Sequence, residues 1–316
     1  MHLSEKTIKG RKYLYAVKSF RLPGGRIKKI AKLIKDKNKF KKNELEDYFN
    51  EKEKEIVIAS ALRNFRTDGI FTESEIVKME EIKLNYKKLR RKLDKADWRD
   101  VLDRFTSNFT FNSNAIEGNS LTLKDVEIVI FEDRIPKGKE LREIYETRNS
   151  RIVIEEIFGR KIRVSHKNII KMHSLLMKDI DERIGYKKMP NILIGRITRT
   201  TPPEGVEEEM GKLIDFINKN PERMHPLHLA AVSHGRFEKI HPFADGNGRV
   251  GRFLINVILV NNGYPPLIIR NTQRNAYLKD LEDYDNGYKT NLERFILEKY
   301  KDTYRKFFEV YVKYLH

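Results

Sequence analysis

The chain has 316 residues, of which 35% are charged and 39% hydrophobic, and its 64 Lys and Arg exceed its 46 Asp and Glu by 18. This length fits one large domain or two modest ones with a real hydrophobic core. The sequence contains no cysteine, which excludes disulfides, zinc–thiolate sites and thiol catalysis. No apolar stretch approaches the ~20 residues that span a bilayer, and the N-terminus lacks the apolar core of a signal peptide, so we expect a cytoplasmic protein without a membrane partner.

The first segment of the chain is strongly basic. Residues 1–42 contain 15 Lys or Arg and only 2 Asp or Glu, so most of the surplus positive charge lies there. A concentrated basic arm indicates an acidic partner, and nucleic acid is the usual one. A solvated, lysine-rich surface would give the same count, and both interpretations stay open.

Residues 13–34 predict a β-hairpin, because an apolar and aromatic run, Tyr13 to Phe20, is followed by the turn Pro23-Gly24-Gly25 and a returning segment. Apolar spacing predicts helical segments within 43–65. Thr72 and Glu75 form a capping-box pattern that begins a helix reaching about Lys92. We therefore predict a small N-terminal α+β module over residues 1–95, whose helices form either a helix-turn-helix-like unit or a plain packing module.

The rest of the chain predicts helices. The helical patterns cover residues 99–106, 124–131, 141–158, 165–177, 206–217, 226–237, 249–261, 274–284 and 292–314. One segment, 191–200, instead alternates and is rich in β-branched residues, and Pro202-Pro203 ends it. The predicted fold class is mainly α, with a short extended segment beside a helical bundle.

The loop from His241 to Arg252, His-Pro-Phe-Ala-Asp-Gly-Asn-Gly-Arg-Val-Gly-Arg, concentrates chemistry in twelve residues. His241 is a candidate base and Asp245 a candidate metal ligand. Gly246-Asn247-Gly248 tolerates the positive φ of an anion-binding turn at a helix N-terminus. Arg249 and Arg252 lie three residues apart, so on a helix they share a face and can contact successive phosphates. The loop alone predicts a polyphosphate, a metal ion and a proton acceptor.

The same twelve residues match the Fic signature HPFx[DE]GNGRxxR, and the sequence around them resembles the Fic (Fido) family over roughly residues 100–300. Gly263-Tyr264-Pro265 and the stretch Arg274-x-x-Tyr277 resemble downstream Fic motifs. Ser113-Asn-Ala-Ile-Glu117-Gly118 matches the inhibitory pattern [ST]xxxE[GN] of the class with an N-terminal inhibitory helix. The resemblance implies a Fic helical bundle with a short β-hairpin flap. It divides the chain into the basic module 1–95, an inhibitory-helix region 98–160, a catalytic domain 161–302 and a C-terminal helix end 303–316.

The resemblance implies a protein adenylyltransferase, which transfers AMP from ATP to a Ser, Thr or Tyr hydroxyl of a target protein. His241 would be the general base, and Asp245 would hold Mg²⁺. Asn247 would orient the α-phosphate, while Arg249 and Arg252 would hold the β- and γ-phosphates. The implied contacts to ATP come from Ile240, Gly246, Asn247, Gly248, Arg249, Val250, Gly251, Arg252, Tyr277 and Leu278. Tyr277 and Leu278 would line the adenine pocket or belong to the core.

Two further roles follow from the resemblance. The flap would dock a target segment through main-chain hydrogen bonds, using Ile192, Leu193, Ile194, Gly195, Arg196 and Ile197. Glu117, with Ser113 and Gly118, would inhibit the enzyme, because a carboxylate paired with Arg252 occupies the arginine that the γ-phosphate needs. We expect Ser113 to be the N-cap of the inhibitory helix.

Three alternatives stay open. Relatives of this kind also remove AMP, with the same glutamate positioning water. The protein could be a nucleic-acid-associated regulator that uses the basic arm 1–42, with the Fic part secondary. It could also use another nucleotide or transfer a phosphoryl group, although both arginines of the loop favour a triphosphate in the usual orientation. A homodimer is compatible with the sequence, and the target protein is not identified by it.

Overall fold

The computed structural model describes residues 1–22, 26–35, 42–159, 162–191 and 200–314. The chain divides into two compact units, Met1–Leu84 and Asn85–His316. The predicted division at residue 95 stays a prediction; the helix Glu73–Lys92 includes residues of both units. The finer domain boundaries predicted within the second unit stay predictions.

The first unit begins with an antiparallel sheet in the order β1 (His2–Ile8), β2 (Arg11–Arg21) and β3 (Ile27–Ile34). Leu14 of β2 lies opposite Ile34 of β3, and one face of this pair buries Ala16 and Ile34 against Leu45 and Phe49. The predicted hairpin is therefore present as β2 and β3. β1 was not predicted, because nearly all of its residues are exposed and no alternating pattern marks it.

Two long helices follow the sheet, α1 (Lys42–Asn64) and α2 (Glu73–Lys92). The residues between 43 and 65 form one continuous helix. α2 begins as predicted, since the Thr72 hydroxyl accepts a hydrogen bond from the Glu75 N–H at 3.3 Å.

The second unit is a helical bundle. Its helices are α3 (Lys95–Ile116), α4 (Leu123–Phe131), α5 (Leu141–Gly159), α6 (His166–Met177), α7 (Val206–Lys219), α8 (Pro226–Ile240), α9 (Asn247–Asn261), α10 (Arg274–Asp285), α11 (Lys289–Thr303) and α12 (Glu309–Tyr314). A π-helical turn, Tyr304–Phe308, joins α11 to α12. Among the residues that the structure describes, no helix is both long and apolar enough to cross a membrane.

α8 and α9 form the centre of this bundle. Nearly every residue of both helices is buried, as expected for helices that are enclosed on all sides. Close packing between them requires Gly251, because a Cβ there would lie 2.3 Å from Oε1 of Glu238. The short connection between these two helices, residues 241–246, is therefore held at both ends by the most buried part of the fold.

Candidate active site

His241 ends α8 in the left-handed conformation, with φ +50° and ψ +62°. Its N–H donates to the Phe237 carbonyl at 2.9 Å. This conformation costs a residue with a Cβ on the order of 1 kcal/mol, so the surrounding structure must hold it. His241 also lines a cleft of about 710 Å³, which is bounded by residues 182–191 and Ala244. The candidate base is thus partly buried, strained and accessible from one side.

Asn247, the first residue of α9, fixes the loop. Its Oδ1 accepts the Phe243 N–H at 2.8 Å, and its Nδ2 donates to the Phe243 carbonyl at 2.8 Å. Both ends of the amide therefore bind the same backbone residue. The predicted contact of Asn247 with the α-phosphate stays a prediction, and the described structure uses this side chain to shape the loop.

The N-terminus of α9 has the features that suit it to an anion. Gly246 precedes it with φ +77°, and no side chain among the described residues caps it. The first N–H groups of a helix have no intrahelical acceptor and carry the positive end of its dipole. The Val250 N–H already donates to the Gly246 carbonyl at 3.0 Å. The backbone donors for an anion are therefore those of Asn247, Gly248 and Arg249.

Arg249 is buried below this terminus. Its Nη1 lies 3.3 Å from Oε1 of Glu146, and its Nη2 lies 3.6 Å from the Met177 sulfur. Within the described part of the chain, Nε of Arg249 has no hydrogen-bond partner, whereas Nη1 is ion-paired with Glu146. A buried guanidinium with an unused donor beside a helix N-terminus is suited to a phosphate.

Arg252 is buried one turn further along and is tied to α3. Its Nε donates to the Ser113 hydroxyl at 3.0 Å, and its Nη2 donates to the Ser113 carbonyl at 2.8 Å. Nη2 also contacts Oε1 of Glu117 at 2.7 Å. Burial alone would lower the pKa of Arg252, but Glu117 and Tyr277 outweigh it and raise that pKa. The residues of the predicted inhibitory pattern and the last arginine of the loop therefore meet.

The expectation that Ser113 is an N-cap is wrong. Ser113 lies in the last turn of α3, whose N-cap is Asp94. The helix predicted over residues 99–106 continues to Ile116 as α3, and the buried polar side chain of Ser113 is stabilised by Arg252 rather than by a helix terminus.

The end of α3 explains the glycine in the pattern. The Gly118 N–H donates to the Ala115 carbonyl at 3.1 Å, and the Asn119 N–H donates to the Asn114 carbonyl at 3.2 Å. These are the two bonds of a Schellman motif, and they require the left-handed φ of +102° at Gly118. Glu117 is the C-cap residue, so the motif sets the direction of its side chain.

Glu117 places its carboxylate over α9. A Cβ built at Gly248 would lie 2.4 Å from Oε1 of Glu117 and 3.0 Å from Nη1 of Arg252. The carboxylate thus occupies space directly beside the N-terminal turn of α9. An anion that binds this turn and Arg252 competes with Glu117 for the same positive groups.

Asp245 is the carboxylate of the loop. Oδ2 accepts from Nη2 of Arg142 at 2.6 Å, and Oδ1 accepts the Gly246 N–H at 2.6 Å. Burial would raise the pKa of Asp245, but Arg249, the Gly246 N–H and Arg142 outweigh it and hold the pKa below its usual value. Asp245 is therefore ionised at neutral pH.

His173 of α6 packs against the loop 241–246 and supports it. The sequence did not predict this role. Its ring stacks on Phe243 with centroids 3.9 Å apart, and its Nε2 lies 3.1 Å from the Asp245 carbonyl. That nitrogen must carry the proton, because a carbonyl oxygen only accepts. Burial lowers the pKa of His173 to about 4, so the ring is neutral and acts as a donor that positions Asp245.

Tyr277 lies behind α9 rather than at an open surface. It is fully buried, and its hydroxyl is 2.7 Å from Nε2 of His234. Leu278 is half-buried. A role of either residue at the adenine base stays a prediction.

The predicted flap, residues 192–197, lies outside the described residues. Its neighbours on both sides are attached to the site. Nδ2 of Asn191 donates to the Phe243 carbonyl at 3.0 Å, and the Thr200 hydroxyl is 3.0 Å from Nζ of Lys187.

Sequence reasoning missed the supporting residues Arg142, Glu146, His173, Met177 and Lys187. One signal was present. α5 buries Glu146, Thr147, Asn149 and Ser150, and such a group of polar residues on the inner face of a helix indicates hydrogen-bonded partners. The partners lie on helices far away in sequence, and no local spacing identifies them.

Comparison with known proteins agrees with this geometry. Residues 163–259 match the Fic/DOC family. A protein adenylyltransferase Fic from Nematostella vectensis is 31% identical over 183 residues, which cover 56% of this chain and 43% of that protein. A protein adenylyltransferase fic-1 from Caenorhabditis elegans is 28% identical over 55% of this chain and 35% of that protein. The chain spans less than half the length of these curated relatives.

Solved structures extend the similarity beyond the matched residues. A Fic domain containing signaling protein from Bacteroides thetaiotaomicron is 25% identical with a TM-score of 0.66, covering 75% of this chain and 97% of that one. A Fic family protein from Desulfovibrio desulfuricans is 26% identical with a TM-score of 0.65, covering 78% of this chain and 76% of that one. The signature loop, the helices that hold it and these similarities agree: residues 163–259 of this chain are similar to the Fic/DOC family, and its helical bundle is similar to solved Fic proteins.

Proposed function

We propose that this protein is a protein adenylyltransferase that transfers AMP from ATP to a hydroxyl group of a target protein, and that Glu117 inhibits it. The observation that carries the proposal is the anion site at the N-terminus of α9. There, two buried arginines lie in the first turns of a helix that begins six residues after His241, which is a candidate base. The names of the curated relatives support the same activity.

The proposed reaction assigns a step to each of these groups. The hydroxyl oxygen of the target attacks the α-phosphorus of ATP, an O–P bond forms, and the bond to the pyrophosphate breaks. His241 accepts the hydroxyl proton during attack, since a neutral imidazole is an effective base near pH 7. The N-terminal turn of α9 and the buried Arg249 stabilise the negative charge that grows on the phosphates. Pyrophosphate leaves, and His241 returns its proton to solvent.

The donor set at Asp245 fits a magnesium ion. Its side chain is ionised and 37% exposed, and one carboxylate with substrate phosphates is a common way to hold Mg²⁺. Bound there, the ion would neutralise charge on the phosphates. The Gly246 N–H and His173 hold Asp245, the residue that would bind the ion, in place.

Inhibition rests on the pair between Glu117 and Arg252. Because Arg252 is 3% exposed, its charge is poorly solvated and binds either a carboxylate or a phosphate strongly. With Glu117 in place, the γ-phosphate of ATP lacks its arginine, and the α-phosphate is not in line for attack. Removal of the Glu117 carboxylate then activates transfer.

The test compares the wild type, Glu117→Gly and Glu117→Gly/His241→Ala, each with Mg²⁺ and ATP labelled at either the α- or the γ-phosphorus. We expect α-label on the protein itself and on proteins of a host lysate with Glu117→Gly, and at least about tenfold less with the other two. Label on protein from γ-labelled ATP would instead identify phosphoryl transfer. Absence of any label from the three proteins would contradict transfer and direct the test to removal of AMP from an adenylylated protein.

A second function, binding of nucleic acid by the first unit, is favoured by one feature of its sheet. Lys6 lies opposite Tyr13, and Lys29 lies opposite Ser19. Tyr13, Tyr15 and Ser19 alternate along β2, so these lysines and tyrosines share one face of the sheet. Basic groups beside aromatic rings are typical of surfaces that bind single-stranded nucleic acid.

Neighbouring lysines of β3 provide a matched test. Lys29 belongs to the face with the tyrosines, whereas Lys28 lies opposite Phe20 on the other face, and both are exposed. In the full chain, Lys29→Glu should weaken binding of a labelled single-stranded oligonucleotide and reduce the slope of log K against log salt by roughly 0.7 or more. Lys28→Glu should change both the binding affinity and this slope much less. Equal effects of the two variants, or no binding by the wild type at low salt, would contradict this function.

A further inference from the structure

Lys187 is a buried lysine that the proposed reaction has not used. Its side chain and backbone together are 5% exposed, which is rare for lysine unless its charge has partners. Its Nζ lies 3.0 Å from the Thr200 hydroxyl and 3.5 Å from the Ile240 carbonyl. Its N–H donates to the Pro242 carbonyl at 2.8 Å.

These contacts enclose His241 on both sides along the chain. Ile240 precedes it and Pro242 follows it, so one lysine binds the carbonyl groups of the two residues next to the candidate base. His241 has φ +50°, a conformation that persists only when neighbouring contacts impose it. Lys187 supplies such contacts from outside the signature loop.

Lys187 also reaches the border of residues 192–199. The Thr200 hydroxyl, its third partner, directly follows that segment, and Asn191, which directly precedes it, binds the Phe243 carbonyl. Both ends of the segment are therefore attached to the loop that carries His241, and the attachment at Thr200 runs through the Lys187 ammonium.

We propose that Lys187 is a positioning residue: it holds His241 in its left-handed conformation and couples it to Thr200, which lies on the C-terminal side of the predicted target-docking segment. Its part in the reaction rests on the proposed AMP transfer, whereas its effect on the His241 backbone does not. Burial lowers the pKa of Lys187 to about 8, so the side chain is still largely an ammonium at pH 7 and can donate to both oxygens.

The experiment compares Lys187→Met, Lys187→Arg and the control Lys178→Met in the full chain that also carries Glu117→Gly. Methionine keeps the length and the backbone N–H but removes the charged donors, and arginine restores donors. Lys178 is an exposed lysine at the end of α6. Three quantities are measured: the rate of label transfer from α-labelled ATP, the Kd for ATP, and the NMR signals of ¹⁵N-labelled histidines. His241 is assigned by the signal lost in His241→Gln.

We expect Lys187→Met to slow transfer about tenfold or more, since small displacements of a catalytic group have effects of this size, while the Kd for ATP changes less than about twofold. The His241 signal should shift or broaden in this variant alone, and Lys187→Arg should recover most of the rate. An unchanged His241 signal would overturn the inference. Equal losses of ATP binding and transfer would also overturn it, because they indicate a general structural role.

Failure of the proposed function gives a different result. If the Glu117→Gly parent binds ATP but transfers no AMP, the proposed transfer is wrong for this protein. The histidine spectra still decide whether Lys187 positions His241, since they require no turnover.

Discussion

At the scale of single residues, the contact between Glu117 and Gly248 leaves no room for a side chain at position 248. An alanine Cβ there would lie 2.4 Å from the Glu117 carboxylate, so the pair with Arg252 must move. Without this contact, alanine in a first helical turn would stabilise α9 slightly, by up to about 1 kcal/mol. The same substitution should therefore have opposite signs in the presence and absence of the carboxylate.

We predict that Gly248→Ala lowers the free energy of unfolding in the wild type and fails to lower it in Glu117→Gly. The coupling in this double-mutant cycle should be about 1–2 kcal/mol, which is typical of residues in direct contact. Denaturant unfolding of the four proteins measures it. Additive effects, within about 0.5 kcal/mol, would show that the carboxylate does not occupy the space beside Gly248.

At the scale of an element, α3 places its inhibitory carboxylate through the way the helix ends. The Schellman bonds of Gly118 and Asn119 hold Glu117 as the C-cap residue. The chain that follows is fixed as well, since Nδ2 of Asn119 donates to Oε2 of Glu146 at 2.9 Å. From the other side, Nε of Arg274 donates to the Ile116 carbonyl at 2.7 Å. The helix terminus is thus bound by two neighbouring helices.

We predict that Gly118→Ala destabilises this terminus and raises basal AMP transfer several-fold, though less than Glu117→Gly. Among the described residues, no atom obstructs a Cβ at position 118, so the cost of about 1–2 kcal/mol comes from φ +102°. The matched control is Gly138→Ala, which also has positive φ and open space but lies outside α3 and the signature loop. Gly138→Ala should lower the free energy of unfolding about as much as Gly118→Ala does, without raising AMP transfer. Equal activation by Gly118→Ala and Gly138→Ala would mean that a general loss of stability, and not the orientation of the Glu117 side chain, raises AMP transfer.

At the scale of the whole molecule, the buried His173 makes stability depend on pH. Its pKa is about 4 in the folded protein, against an ordinary value of 6.5 for histidine. Between these values the unfolded chain binds the proton and the folded protein does not, so stability is fully present above pH 6.5 and falls as the pH falls towards 4.

We predict that this residue contributes a loss of about 2 kcal/mol in unfolding free energy between pH 6.5 and pH 5, at 1.36 kcal/mol per pH unit. His173→Gln keeps a donor for the Asp245 carbonyl but does not titrate there. Between pH 6.5 and pH 5, the free energy of unfolding measured in urea should fall by about 2 kcal/mol less in this variant than in the wild type. Parallel pH curves for the two proteins would show that His173 is not buried in its neutral form.

Features that are encoded within one stretch of the sequence were predicted, whereas features that need contacts between distant residues were not. The loop from His241 to Arg252 was identified because its chemistry is contiguous, and the helices of the second unit were identified because each has its own apolar face. β1 was missed because it is exposed on both faces, and Ser113 was misassigned because a continuous helix of 22 residues was divided into parts. The partners Arg142, Glu146, His173 and Lys187 come together only in the folded bundle, through tertiary contacts that no spacing in the chain encodes.

Arg252 has two partners on α3, and only one of them is the inhibitory carboxylate. Ser113 binds it through both a hydroxyl and a carbonyl, and neither bond involves Glu117. Under the proposed function, the helix that inhibits the enzyme therefore also keeps its arginine in position for a nucleotide. Removal of the Glu117 carboxylate and deletion of α3 should therefore have opposite effects on nucleotide binding. The first leaves Arg252 in place for a phosphate, and the second leaves its buried charge without the Ser113 contacts.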